Sequence, residues 1–158
     1  MDDSQIEEIM KEAFHRMHKY TCAEASLQCL QTLWDMPKDG YSWADAGYLG
    51  AIMTGKTTCG ILIGSSIGIG LRCGRGLKGT PEEHKTERGS AIQGVGELYK
   101  EFLEKFGSTD YKTLSNCDFS NPDDVGKYLS TKAWKKTCDI YLKFAIQKCR
   151  DMVEEGII

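Results

Sequence analysis

Apolar residues recur along this chain at intervals of three and four, the period of a helix rather than of a strand. Ile6, Ile9, Met10, Ala13, Phe14 and Met17 form one such stripe and predict an amphipathic helix over residues 3 to 18. A second helix is predicted over 22 to 35, where Thr21 and Glu24 have the spacing of a capping box and make Thr21 the N-cap. Ser42 caps a short helix through Trp43, Ala46 and Leu49. Thr80-Pro81-Glu82-Glu83 predicts a further helix start, with proline at the first helical position. That helix runs to about Phe106 and stops at Gly107, with Ile92, Val95, Leu98, Tyr99, Phe102 and Phe106 facing inward. Short helical turns are expected around Tyr111–Leu114 and Asp123–Tyr128. The last helix, about 131 to 155, carries Trp134, Cys138, Tyr141, Leu142, Ala145, Cys149 and Met152 on one face.

The most apolar stretch is also the richest in glycine, residues 55 to 74. Gly60, Gly64 and Gly68 recur at i, i+4 and share one face of a helix, while Ile61, Ile63, Ile67, Ile69 and Leu71 cover the other sides. Each glycine in a helix interior costs roughly 1 kcal/mol against alanine, so three in a stripe imply close approach of another backbone. The expected architecture is all-α, a single-domain helical bundle over residues 1–158 with this glycine-rich helix at its centre. A membrane span is not expected, because serines break the run before the roughly 20 apolar residues a span needs.

Composition narrows the function. A net charge of −3 at pH 7 argues against a nucleic-acid footprint. No positively charged start followed by an apolar run suggests a signal peptide or anchor, so a cytoplasmic protein is expected. Seven cysteines are many for such a chain, and there they serve metal binding or redox chemistry more often than structural disulfides. Their odd number leaves at least one thiol without a partner in the chain.

Two motifs fail on context. Gly50-Ala-Ile-Met-Thr-Gly55-Lys56-Thr57 matches the phosphate-loop pattern, but that chemistry needs a buried strand just before it, and Ser42–Leu49 offers none. His15 and His18 lie one turn apart, yet no carboxylate motif accompanies them, so they read as solvated. His84 reads the same way.

Position separates the cysteines. Cys22 and Cys59 each fall at a predicted helix start, where the half-charge of the helix stabilises a thiolate, and Lys56 is expected to help at Cys59. Cys73 lies between Arg72 and Arg75 but at a helix C-terminus, the unfavourable end. Cys29 and Cys149 sit on apolar stripes and are expected to be structural. Cys22 and Cys29, about 10.5 Å apart along one helix, are too far apart to bond, and the same holds for Cys138 and Cys149. Cys117 falls in a polar loop, where core packing explains a cysteine less readily.

Tyr20-Thr-Cys22-Ala-Glu-Ala, Cys59-Gly60-Ile61-Leu-Ile-Gly64, Phe106-Gly-Ser-Thr, Cys117-Asp118 and Cys138 together resemble a family of redox-active proteins. That family is named for a C…CGAxxG…C…C cysteine signature, and the resemblance covers roughly residues 12 to 150. Ile61 stands where the family has alanine. Tyr111 stands where its third cysteine follows the Phe-Gly-Ser segment, and Cys117 is similar to an additional cysteine found in part of the family. The resemblance implies thiol chemistry in which Cys22 and Cys59 lie near each other, one attacking and one resolving, with an unidentified redox partner. It also leaves open a metal site, zinc or an iron–sulfur cluster, held by Cys22, Cys59, Cys117 and Cys138. A helical scaffold with structural cysteines is the third reading, and self-association is open in all three. The family is related to a helical haem protein, but the chain has no CxxCH, so covalent haem is not expected.

Overall fold

Two helices approach closely enough to touch backbone to backbone, and the rest of the chain packs around that contact. The computed structural model describes residues 3–16, 21–38 and 43–158. Among the described residues the fold is all-α, with helices α1 (Asp3–Arg16), α2 (Cys22–Leu33), α3 (Tyr48–Ile52), α4 (Gly60–Cys73), α5 (Lys85–Phe106), α6 (Tyr111–Ser115), α7 (Pro122–Ser130) and α8 (Trp134–Glu154). No strand forms among them beyond an isolated bridge between Thr58 and Asp110. No helix among them is long and apolar enough to cross a membrane.

The close pair is α2 and α4, and the glycine stripe is its cause. A side chain at Gly64 would run into the Ala23 carbonyl and the Ser26 hydroxyl, and one at Gly68 would press on Leu30 Cδ1 at 2.7 Å. The helix cost of these glycines is thus offset by packing that no larger residue permits. Ile61, Leu62 and Ile69 on the remaining faces of α4 are fully buried. They join Leu27 and Leu30 of α2, Leu98 and Phe102 of α5, and Leu142, Ile146 and Met152 of α8 in the core. Phe102, Phe106, Tyr141 and Phe144 add a tilted and edge-to-face aromatic group between α5 and α8.

The predicted caps form where side chains can close them. Thr21 and Glu24 make a complete capping box, each side chain meeting the other residue's backbone N–H. Gly107 ends α5 in the left-handed conformation at φ 76°. The predicted start at Pro81 is corrected. Glu83 does fold back to the Thr80 N–H, but the result is a separate turn, and His84, with φ −115° and ψ 65°, delays α5 to Lys85. Ile92 is 63% exposed rather than inward, because only Gly94, Leu98 and Phe102 of α5 are fully enclosed.

The short helix expected through Trp43, Ala46 and Leu49 is also shifted. Residues 44–47 form turns, Trp43 is 79% exposed, and the helix proper is Tyr48–Ile52; the expected cap Ser42 lies outside the described residues. Gly50 sits inside that helix, so the phosphate-loop pattern has no strand before it. Met17, His18 and Tyr20, which belong to the first predicted stripe, the histidine pair and the cysteine segment, lie outside the described residues.

Candidate functional site

The N-terminal ends of α2 and α4 meet beside the second turn of α8, and each brings a cysteine. The Thr21 cap makes Cys22 the first residue of α2, and Cys59 is the N-cap of α4. The segment before α4 is pinned to the one before α6. The Cys59 N–H donates to the Thr109 carbonyl at 2.8 Å, and the Tyr111 N–H donates to the Thr57 carbonyl at 2.8 Å. These bonds flank the Thr58–Asp110 bridge and fix the start of α4 next to the start of α6. On the α3 side, the Tyr48 hydroxyl donates to the Thr58 carbonyl at 2.7 Å.

Cys22 Sγ occupies space that a side chain at Gly60 would take: a Cβ built there would stand 2.6 Å from the sulfur. Cys22 therefore lies against the residue that follows Cys59. Cys138, from α8, lies near enough that a charge on it disfavours a thiolate at either of the other two. Cys59 and Cys138 both raise the Cys22 pKa, and Cys138 raises that of Cys59. Cys59 and Cys138 are buried, whereas Cys22 keeps part of its surface open.

The expected lowering of these pKa values is overturned. Burial pushes the Cys59 thiol up to about 12, and the nearby Cys138 charge adds to that. The backbone amides of Ile61 and Leu62 favour the thiolate, as the helix-start argument requires, but desolvation outweighs them. Burial raises Cys22 well above its usual value too, with Cys59 and Cys138 adding and the amides of Cys22 and Ala23 opposing. Lys56 is exposed and is not among the groups that shift Cys59. At Cys73 burial likewise prevails over the Arg72 charge. Arg75 is turned away, donating to the Trp34 carbonyl at 2.9 Å.

The other cysteines divide as follows. Cys29 and Cys149 are core residues, as expected, and burial lifts Cys149 to about 12 against the opposing charge of Lys148. Cys117 is not in an open loop: it is 3% exposed, enclosed between α6 and α7. Burial, Asp124 and Asp118 raise its pKa. Among the described residues no three Cys, His, Asp or Glu side chains form a group that could hold a metal ion.

Two tyrosines complete the surroundings of the three thiols. The Tyr128 hydroxyl is 3.7 Å from Cys138 Sγ, and the Tyr111 hydroxyl is 3.4 Å from that of Tyr128. Both rings are buried and packed through Phe119, whose centroid is 5.0 Å from Tyr111 and 5.2 Å from Tyr128. In the sequence Tyr111 stands out as a departure from a cysteine pattern at the start of a helical turn, whereas Tyr128 marks only the end of another turn. The signal for Tyr111 was its position after Phe106-Gly-Ser; nothing local marks Tyr128.

Fold and site together define an all-helical protein in which two helix starts, each with a cysteine, meet beside a third cysteine. Residues 20–153 match the family model described as putative redox-active protein (C_GCAxxG_C_C), and the chain belongs to that family. No curated protein and no solved structure matches the chain.

Proposed function

We infer that the protein acts by thiol–disulfide exchange, with Cys22 and Cys59 as the reacting pair and residues 1–158 as one redox domain. The observation that carries this reading is the seat of Cys22 Sγ against Gly60, next in the chain to Cys59. Cys22, partly open, takes the outer role and Cys59, enclosed, the inner one. The Cys22 thiolate attacks a disulfide of a redox partner, forming a mixed disulfide and releasing one partner thiolate, which takes up a proton. The Cys59 thiolate then attacks the Cys22 sulfur, the second partner thiol leaves, and a Cys22–Cys59 disulfide remains. Two electrons pass to the partner and both bonds balance. Because burial raises both pKa values, the resting pair is protonated at neutral pH and its reactivity rises with pH. A reducing compartment such as the cytoplasm suits such a resting state.

Protein purified without oxygen and then treated with glutathione disulfide tests this. Two of its seven thiols are expected to disappear, without stoichiometric zinc or iron in the starting material. Cys22→Ser and Cys59→Ser should each abolish that paired loss. Stoichiometric metal released by changing Cys22, Cys59, Cys117 or Cys138 would establish the metal-binding reading instead.

A further inference from the structure

We propose that Tyr111 and Tyr128 form a hydroxyl relay that makes Cys138 a third exchange thiol, able to take over the Cys22–Cys59 disulfide. The proposal rests on the Cys22–Cys59 reading and adds a step to it. The Tyr111 and Tyr128 hydroxyls are 3.4 Å apart, and the Tyr128 hydroxyl is 3.7 Å from Cys138 Sγ. In the relay Tyr111 donates to Tyr128 and Tyr128 to the sulfur, so the chain of hydroxyls ends on sulfur. A donor aimed at sulfur favours the thiolate over the thiol, and one hydroxyl behind another strengthens the terminal bond. The relay lies in a dry setting: Tyr111, Tyr128 and Cys138 are 7%, 6% and 3% exposed. With so little water to solvate a thiolate, a fixed donor matters more than it would at the surface.

Groups from four other parts of the fold sense a charge on Cys138. Cys22 comes from α2, Cys59 from the start of α4, Tyr111 from α6 and Tyr128 from α7, while Tyr141 and Asp139 lie on α8 itself. None is a cation; burial and the Asp139 charge oppose a thiolate at Cys138, and the Tyr128 hydroxyl favours it most, followed by the Thr137 hydroxyl and the Cys138 amide. The step is balanced within the protein. The Cys138 thiolate attacks Cys59 in the Cys22–Cys59 disulfide, a Cys59–Cys138 bond forms, and Cys22 leaves as thiolate. The negative charge moves from Cys138 to Cys22, and no further oxidant is consumed. Cys22 is thereby freed at the open edge of the site for a second exchange. Tyr128 is a positioning residue here, and Tyr111 acts through it.

The test starts from full-length protein oxidised by glutathione disulfide at pH 6.5 and freed of reagent. The pH is then raised in steps, samples are quenched in acid, and the linkages are mapped by mass spectrometry. The wild type is expected to begin as Cys22–Cys59 and to gain Cys59–Cys138 as pH rises. Loss of a hydrogen bond to a charged group slows such a step on the order of ten-fold, so Tyr128→Phe should delay migration by about that factor and move its pH midpoint upward. Tyr111→Phe should act in the same direction with smaller effect, and carries the test if Tyr128→Phe does not fold. A Cys22–Cys59 bond that never migrates, or that migrates equally in wild type and both variants, overturns the relay alone. Failure of the Cys22–Cys59 bond to form overturns the relay together with the exchange pair beneath it.

Discussion

Cys22 Sγ rests where the side chain of residue 60 would be, so the glycine at 60 and the cysteine at 22 occupy one volume between them. A Cβ at position 60 would stand 2.6 Å from the sulfur, and the same substitution would crowd the Ala23 N at 3.2 Å. Gly60→Ala should therefore displace Cys22 and slow formation of the Cys22–Cys59 disulfide. Overpacking of this kind costs about 1–3 kcal/mol, readable as a lower urea midpoint. A variant that oxidises at the wild-type rate would show that Cys22 is not held by this contact.

Gly64 tests the helix contact without touching a thiol. The side chain of Gly64→Ala would meet the Ala23 carbonyl, which belongs to the α2 backbone and cannot rotate away. The loss should be at the upper end of the same 1–3 kcal/mol range or beyond it. Gly70, with open space around it, is the control: Gly70→Ala should stabilise by up to about 1 kcal/mol through helix propensity.

Buried thiols also give stability a pH dependence whose sign follows from the raised pKa values. Burial pushes Cys59 and Cys149 up to about 12 from 9.0, so the unfolded chain loses these protons first. Their contribution is fully present below pH 9.0 and is lost as pH rises towards 12. Each group should remove about 1.4 kcal/mol per pH unit within that window. Urea unfolding at pH 8 and pH 10 should show the fall, and Cys149→Ala should show less of it. The same variant, and Cys29→Ala, should leave the disulfide chemistry unchanged.

Asp45 is a second buried acid, 4% exposed, with neither carboxylate oxygen hydrogen-bonded. Burial, with the Glu24 charge adding, raises its pKa from 3.8 to about 6. Its contribution to stability is present below pH 3.8 and is lost as pH rises through about 6. Asp45→Asn removes the charge and should stabilise the protein at pH 7 by on the order of 1–2 kcal/mol. An unchanged urea midpoint at pH 7 would show that the carboxylate finds a partner in solution.

The helical scaffold was legible because its signals are local. The i, i+4 glycines announced a backbone contact, Thr21 and Glu24 announced a cap, and Gly107 announced a stop; all three form as read. Helix starts alone, however, could not give the charge state of Cys59. The favourable amides of Ile61 and Leu62 are present, but the burial that defeats them comes from elements far along the chain. Tyr128 was hidden for a different reason: it is only ten residues before Cys138, but the turn between α7 and α8 that brings the two together has no signature in the sequence. At Thr80 a sound local signal made a local turn, because a capping box closes three residues whether or not a helix follows.

The most direct test of the exchange pair is a linkage map of the oxidised protein. Full-length protein is purified without oxygen, treated with glutathione disulfide at pH 7, alkylated in acid and digested for mass spectrometry. The predicted result is a peptide pair joined through Cys22 and Cys59, with Cys29, Cys73, Cys117, Cys138 and Cys149 recovered as alkylated thiols. Recovery of both Cys22 and Cys59 as alkylated thiols, while two other cysteines have become joined, would contradict it.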